Sequence, residues 1–129
     1  MGFSKKQRNL LLSGKVLICP MYCEGNIFYK FIRVSAYVYR EFGCRAVFAV
    51  NPSKLISEED ALFSVRIFEV KAEYVISNTE VSDELINYIV KKKDINLISD
   101  LEKILDKNVP YLNYDEFKEE WELECYCPI

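Results

Sequence analysis

Five cysteines and no histidine set the range of chemistry open to this chain. The cysteines fall as Cys19-x-x-x-Cys23, Cys125-x-Cys127 and an isolated Cys44. If the tail folds back over the first pair, the four thiolates of Cys19, Cys23, Cys125 and Cys127 could enclose zinc or an iron–sulfur cluster. The spacing of the first pair is looser than the C-x-x-C usual for zinc. Redox exchange within either pair is a second use, and burial as small hydrophobes is a third. Cys44, beside Arg45, reads as core. The lack of histidine removes the commonest general base, the commonest metal ligand and every Ser-His or Cys-His nucleophile pair. Catalysis would then fall to a thiol, a carboxylate, Tyr, Lys or a bound cofactor, and these residue types leave open whether the chain is an enzyme.

These residues need elements to position them. Residues 4–12 (SKKQRNLLL) read as a leading helix within a segment 1–14, with Ser4 as its cap and Gly14 as its stop. The apolar run KVLI (15–18) predicts a buried strand. Residues 27–42 (IFYKFIRVSAYVYREF) place apolar groups at helical spacing, with Asn26 to cap the start and Gly43 to end the last turn. AVFAV (46–50) predicts a second strand, ended by Asn51-Pro52-Ser53. Ser57 and Asp60 have capping-box spacing before a helix over 58–70. AEYVI (72–76) predicts a third strand, ended by Ser77-Asn78-Thr79, and 81–92 a third helix. INLI (95–98) predicts a fourth strand, 101–107 a short helix, 109–112 an edge segment marked by Pro110, and 113–121 a last helix before a Cys-containing tail, 123–129.

Alternating strands and helices with short, wholly apolar strands predict a single α/β domain over 1–129. The expected architecture is a three-layer α/β/α sandwich, Rossmann-like or flavodoxin-like, on a mostly parallel sheet of four to five strands. In such folds ligands meet the carboxyl ends of the strands. That edge would gather Cys23, Gly25, Asn26, Asn51, Ser53, Ser77, Asn78 and Thr79, most of them before helix N-termini that attract anions. A small anionic or nucleotide-like ligand fits there, although the same residue types also cap helices without any ligand. Gly25 stands alone, and neither the dinucleotide fingerprint nor a phosphate loop is present.

The net charge is −3 and the pI about 5.1, so a nucleic-acid partner is not expected. The dense basic runs, Lys5-Lys6 with Arg8 and Lys91-Lys92-Lys93, read as solvated helix ends. No apolar run approaches the ~20 residues that span a bilayer. No signal peptide or lipidation motif is recognised, because Lys6 stands where myristoylation wants Ser or Thr. An odd number of cysteines then predicts reduced thiols and a cytoplasmic protein. Tyr29, Tyr37 and Tyr39 cannot all face one core from a single helix, which favours a homodimer.

Three features resemble an uncharacterised domain family of methanogenic archaea: a strand ending in Cys19-Pro20, a long helix ending in Gly43, and a strand ending in Ala49-Val50-Asn51-Pro52. The resemblance covers residues 15–53 and implies a Rossmann-like fold without an established activity. Met21 departs from it, standing where an acidic residue is expected. Four functions follow as alternatives: a module binding a small anion, a thiol- or carboxylate-dependent enzyme, a zinc or iron–sulfur protein, and a structural or subunit-interaction protein.

Overall fold

The computed structural model describes residues 2–22, 27–39, 45–47, 56–77 and 81–123. Helix α1 (Lys5–Leu12) leads into β1 (Leu17–Tyr22) and β2 (Phe28–Tyr39). A short β3 (Arg45–Val47) precedes β4 (Leu62–Lys71), the five-residue helix α2 (Ala72–Ile76) and β5 (Asn87–Ile95). Helix α3 (Ile98–Asn108) follows, and then two 3-10 turns, Tyr114–Glu116 and Glu120–Glu122.

The strands are antiparallel throughout, in the order β1-β2-β4-β5. Tyr37 pairs with Val47 on one side and Leu62 on the other, so β3 continues the β1 edge. The expected Rossmann-like or flavodoxin-like sandwich with a mostly parallel sheet is therefore incorrect, and so is the fold implied by the family resemblance. The error lies in element type. Residues 27–42, read as a helix, contain β2, and 58–70, also read as a helix, hold all of β4 but Lys71, while 72–76, read as a strand, is α2. Residues 81–92 hold a 3-10 turn, Asp83–Leu85, and the start of β5. Residues 95–98 join β5 to α3, and 109–112 form a turn with Tyr111 at positive φ.

The physical reason is visible in β2. Its residues are mainly aromatic or β-branched, which suits a pleated surface. It lies between two strands and is buried on both faces, so its apolar residues run consecutively: Phe31 with Ile32, Ala36 with Tyr37. Such a run carries no period that separates a central strand from a buried helix.

The larger core lies on one face of the sheet. Ile32, Val34, Phe63 and Val65 meet Leu11 of α1 and Ile98, Leu101 and Leu105 of α3. Both helices were legible locally. Ser4 Oγ accepts from Gln7 N at 3.2 Å, Gln7 Oε1 accepts from Ser4 N at 2.9 Å, and Gly14 takes φ 92° just past the helix end. Gln7 also does tertiary work. Its buried Nε2 donates to the Tyr114 carbonyl at 2.7 Å and lies 3.4 Å from that of Phe117, tying α1 to the segment that pairs Lys118 with Ile18. Gln7→Leu leaves those carbonyls without this donor and is expected to cost about 1–3 kcal/mol, read as a lower urea midpoint.

The second face divides along its length. Ile18, Phe31, Phe68 and Val70 form a smaller core under Val75 of α2 and Ile86. Beyond Phe31 and Phe68 the same face turns polar.

Candidate functional site

Most residues expected at a strand-end site cannot be placed. Cys23, Gly25, Asn26, Asn51, Ser53, Asn78 and Thr79 lie outside the described residues, as do Cys125 and Cys127. Ser77 is described, but it closes α2 and its hydroxyl donates to the Glu73 carbonyl at 2.7 Å. With an antiparallel sheet, the shared carboxyl edge that would have gathered these residues does not exist. Cys19 sits in β1 opposite Ile32 and packs into the larger core. Burial, with Glu116 adding, pushes its thiol up to about 12. A thiol held protonated and turned inward is a poor nucleophile and a poor metal ligand. Among the described residues no group of three or more Cys, Asp or Glu could hold a metal ion.

The chemistry gathers instead on the polar half of the second face. Two segments, FIRVS (31–35) in β2 and SVRIF (64–68) in β4, are mirror images in sequence. Antiparallel register therefore pairs like with like: Phe31 with Phe68, Arg33 with Arg66, and Ser35 with Ser64. Alternation puts all six on one face. Strand β5 extends two of these rungs, with Tyr88 opposite Phe68 and Lys91 opposite Arg66. The result is an aromatic rung, a cationic rung and a hydroxyl rung, side by side.

Two irregularities in β5 make this possible. The register shifts between Ile67 and Phe68 and again between Phe63 and Val65, and each time β5 carries the extra residue. The first bulge returns Tyr88 and Lys91 to the same face, although three positions separated by strict alternation would oppose them. Lys91 Nζ then lies 4.7 Å from the centre of the Tyr88 ring. At the second bulge Asp94 adopts φ 60°. The Tyr37 hydroxyl accepts from Asp94 N at 2.6 Å and donates to its carboxylate, so a side chain from β2 reaches across β4 to hold the bulge.

Neighbouring strands are about 4.8 Å apart, so the Arg33, Arg66 and Lys91 side chains leave the sheet as close neighbours. Like charges directly opposite one another destabilise a sheet. Among the described residues, Arg66, Lys91, Lys92 and Lys93 form no ion pair. The Ser35 and Ser64 hydroxyls are 2.8 Å apart, beside the cationic rung. Ser64, Arg66, Lys91, Lys92 and Lys93 line a cavity of about 320 Å³. Among the described residues, hollows of about 430 Å³ beside Ile27 and Ile76 and of about 420 Å³ beside Tyr111 are larger. Neither concentrates charge of one sign. Burial pushes the Tyr88 phenol up, with Asp83 adding and the nearby Arg66 and Arg33 pulling the other way; its hydroxyl lies 3.3 Å from the Asp83 carboxylate.

None of Arg33, Ser35, Ser64, Arg66 and Tyr88 was among the residues expected to carry function, and Lys91 to Lys93 were read as a helix end. The inverted FIRVS and SVRIF segments were the available signal, and they acquire meaning only once antiparallel pairing is assumed. No family model, no curated protein and no solved structure matches this chain.

Proposed function

We propose that this protein is a binding module for a small anion, seated on the cationic and hydroxyl rungs of the sheet face. The observation that carries this reading is the alignment of Arg33, Arg66 and Lys91 across three adjacent strands. Arg66 and Lys91, opposite each other and in no ion pair among the described residues, become favourable neighbours around a phosphate, sulfate or carboxylate, and Arg66 brings the planar fork suited to such groups. The paired serines offer hydroxyl donors beside it. The net charge of −3 and the small cavity favour a compact ligand over a nucleic-acid strand. No helix among the described residues is long and apolar enough to cross a membrane. A reducing, cytoplasmic setting belongs to the same proposal, supported by the free Cys19 thiol and the odd cysteine count.

Titration of the protein with pyrophosphate, followed by amide chemical shifts, tests it. Arg66→Gln is expected to weaken binding at least about tenfold, since charge-assisted hydrogen bonds are lost. Lys103→Gln, on the exposed side of α3, is expected to leave it unchanged. A second reading has its own observation: β5 is an edge strand with two bulges and three lysines, devices that block edge-to-edge association. Under that reading pyrophosphate shifts no amide near Arg66, and neutralising Lys91 to Lys93 causes association.

The homodimer rested on aromatics that one helix could not bury. As strand residues, Tyr29 and Phe31 pack in the smaller core and Tyr37 is buried. Tyr29 and Tyr37 therefore give no argument for a second copy, and the homodimer stays a proposal.

A further inference from the structure

The cationic rung has an aromatic neighbour that the anion reading leaves unused. Of the aromatic rung, Phe31 and Phe68 are fully buried and stack on each other at 5.5 Å, whereas Tyr88 retains exposure at the boundary with the charged half. Its ring is braced from the neighbouring strand: Phe68 lies 6.1 Å away at a tilt of 56°. The Asp83 carboxylate lies near its hydroxyl. What lies over the ring is the Lys91 ammonium, directly opposite Arg66 in the register. An anion drawn to Arg66 also draws Lys91, and that movement uncovers the ring for a planar group.

We propose that the ligand is a phosphate ester carrying a planar ring, of the nucleoside monophosphate class, with its phosphate on Arg66 and Lys91 and its ring stacked on Tyr88. This rests on the anion reading above and adds the identity of the group attached to the anion. Three observations agree with it. The aromatic and cationic rungs are adjacent on one face, so phosphate and ring can be held together. The Ser35 and Ser64 hydroxyls stand on the far side of the cationic rung from Tyr88, where they can take phosphate oxygens without crowding the ring. The cavity of about 320 Å³ is lined by Ser64, Arg66 and Lys91 to Lys93 and not by Tyr88, so it takes the phosphate and leaves the ring outside it, against Tyr88. A ring held this way is selected by stacking and shape, which discriminates weakly among bases.

The test compares adenosine 5′-monophosphate with ribose 5-phosphate, which share the phosphate and sugar and differ in the base. The wild-type protein is expected to bind the nucleotide at least about tenfold more tightly, the usual scale of a single base–aromatic stack. Tyr88→Phe should keep that ratio, and Tyr88→Leu should bring it near one while leaving ribose 5-phosphate affinity unchanged. Equal affinity of the wild type for both ligands overturns the proposal, as does a ratio that survives Tyr88→Leu. In both cases the anion reading stands. If neither ligand nor pyrophosphate binds at millimolar concentration, the anion reading fails and this inference with it. Should Tyr88→Leu not fold, saturation transfer in the wild type decides: transfer between the adenine protons and the Tyr88 ring supports stacking, and its absence under saturating nucleotide overturns it.

Discussion

Phe31→Ala is expected to remove about 3–5 kcal/mol of folding free energy, the usual cost of truncating a fully buried phenylalanine. The ring is 0% exposed and stacks on Phe68 at an interplanar angle of 25°. Its position makes relaxation difficult. Phe31 lies in β2, between Pro20 of β1 and Phe68 of β4, and both neighbours are fixed by backbone pairing. The smaller core to which it belongs is thin, with Ile18, Val70, Val75 and Ile86 as its other buried members. A cavity at its centre cannot be filled without breaking the ladder. Domains of this kind have about 5–15 kcal/mol in hand, so the variant should lose a large part of its stability. The urea midpoint should fall with little change in slope. Phe28→Ala, three residues earlier and 40% exposed, is the comparison, and its cost should stay below about 1 kcal/mol. Similar midpoints for the two variants would mean that the second face has no packed core, and Tyr88 would then lose the support its proposed role requires.

Alkaline pH should destabilise the protein through Cys19. Its thiol is held protonated in the fold up to about 12, against 9.0 when unfolded, chiefly because burial penalises the thiolate. Below pH 9 both states carry the proton and the contribution to folding is fully present. As pH rises further, only the unfolded chain ionises, and stability falls by about 1.4 kcal/mol per pH unit until the folded thiol titrates. Across the window from 9 to about 12 the loss is of the order of 4 kcal/mol. The Tyr114 phenol, pushed up by burial and by its hydrogen bond to Asp106 at 2.8 Å, acts in the same direction at higher pH. Cys19→Val separates the two, since valine fills the site and cannot ionise. The stability difference between wild type and variant should be constant below pH 9 and should then move in the variant's favour with the slope just given. A difference that stays flat to about pH 11 would show that the thiol ionises freely in the folded protein.

The same residue illustrates how far the sequence could be read. Cys19 was a candidate ligand because it precedes a proline, a second cysteine and a glycine, which mark a loop. In the fold it is the third residue of β1, and Pro20, opposite Phe31, lies inside that strand. Among the described residues β1 meets on its other side an isolated bridge to Lys118 and no further strand, and a proline is tolerated near such an edge. The basic residues show the converse. Lys91 to Lys93 read from the sequence as a solvated helix end, because a cluster within one segment is usually solvated. Arg33 and Arg66 carry no such signal, since thirty-three positions separate them in the chain and nothing local marks either.

What the sequence determined by itself is what short-range forces decide. Helix α1 with its Ser4 cap and Gly14 stop, and the part of α3 expected over 101–107, follow from hydrogen bonds made within a turn and from one buried stripe, whereas Ile98 at the start of α3 was expected in a strand. The lack of histidine, the odd cysteine count and the acid excess are likewise properties of composition, and they narrowed the chemistry before any fold was known. The tertiary structure decided the rest. A strand closes its hydrogen bonds on a distant partner, so the identity of β2 and β4 depended on each other and on burial from both sides. Only that pairing turned FIRVS and SVRIF into rungs of aromatic, cationic and hydroxyl groups. Only the two bulges of β5 added Tyr88 and Lys91 to them, through a register that no residue in β5 specifies alone.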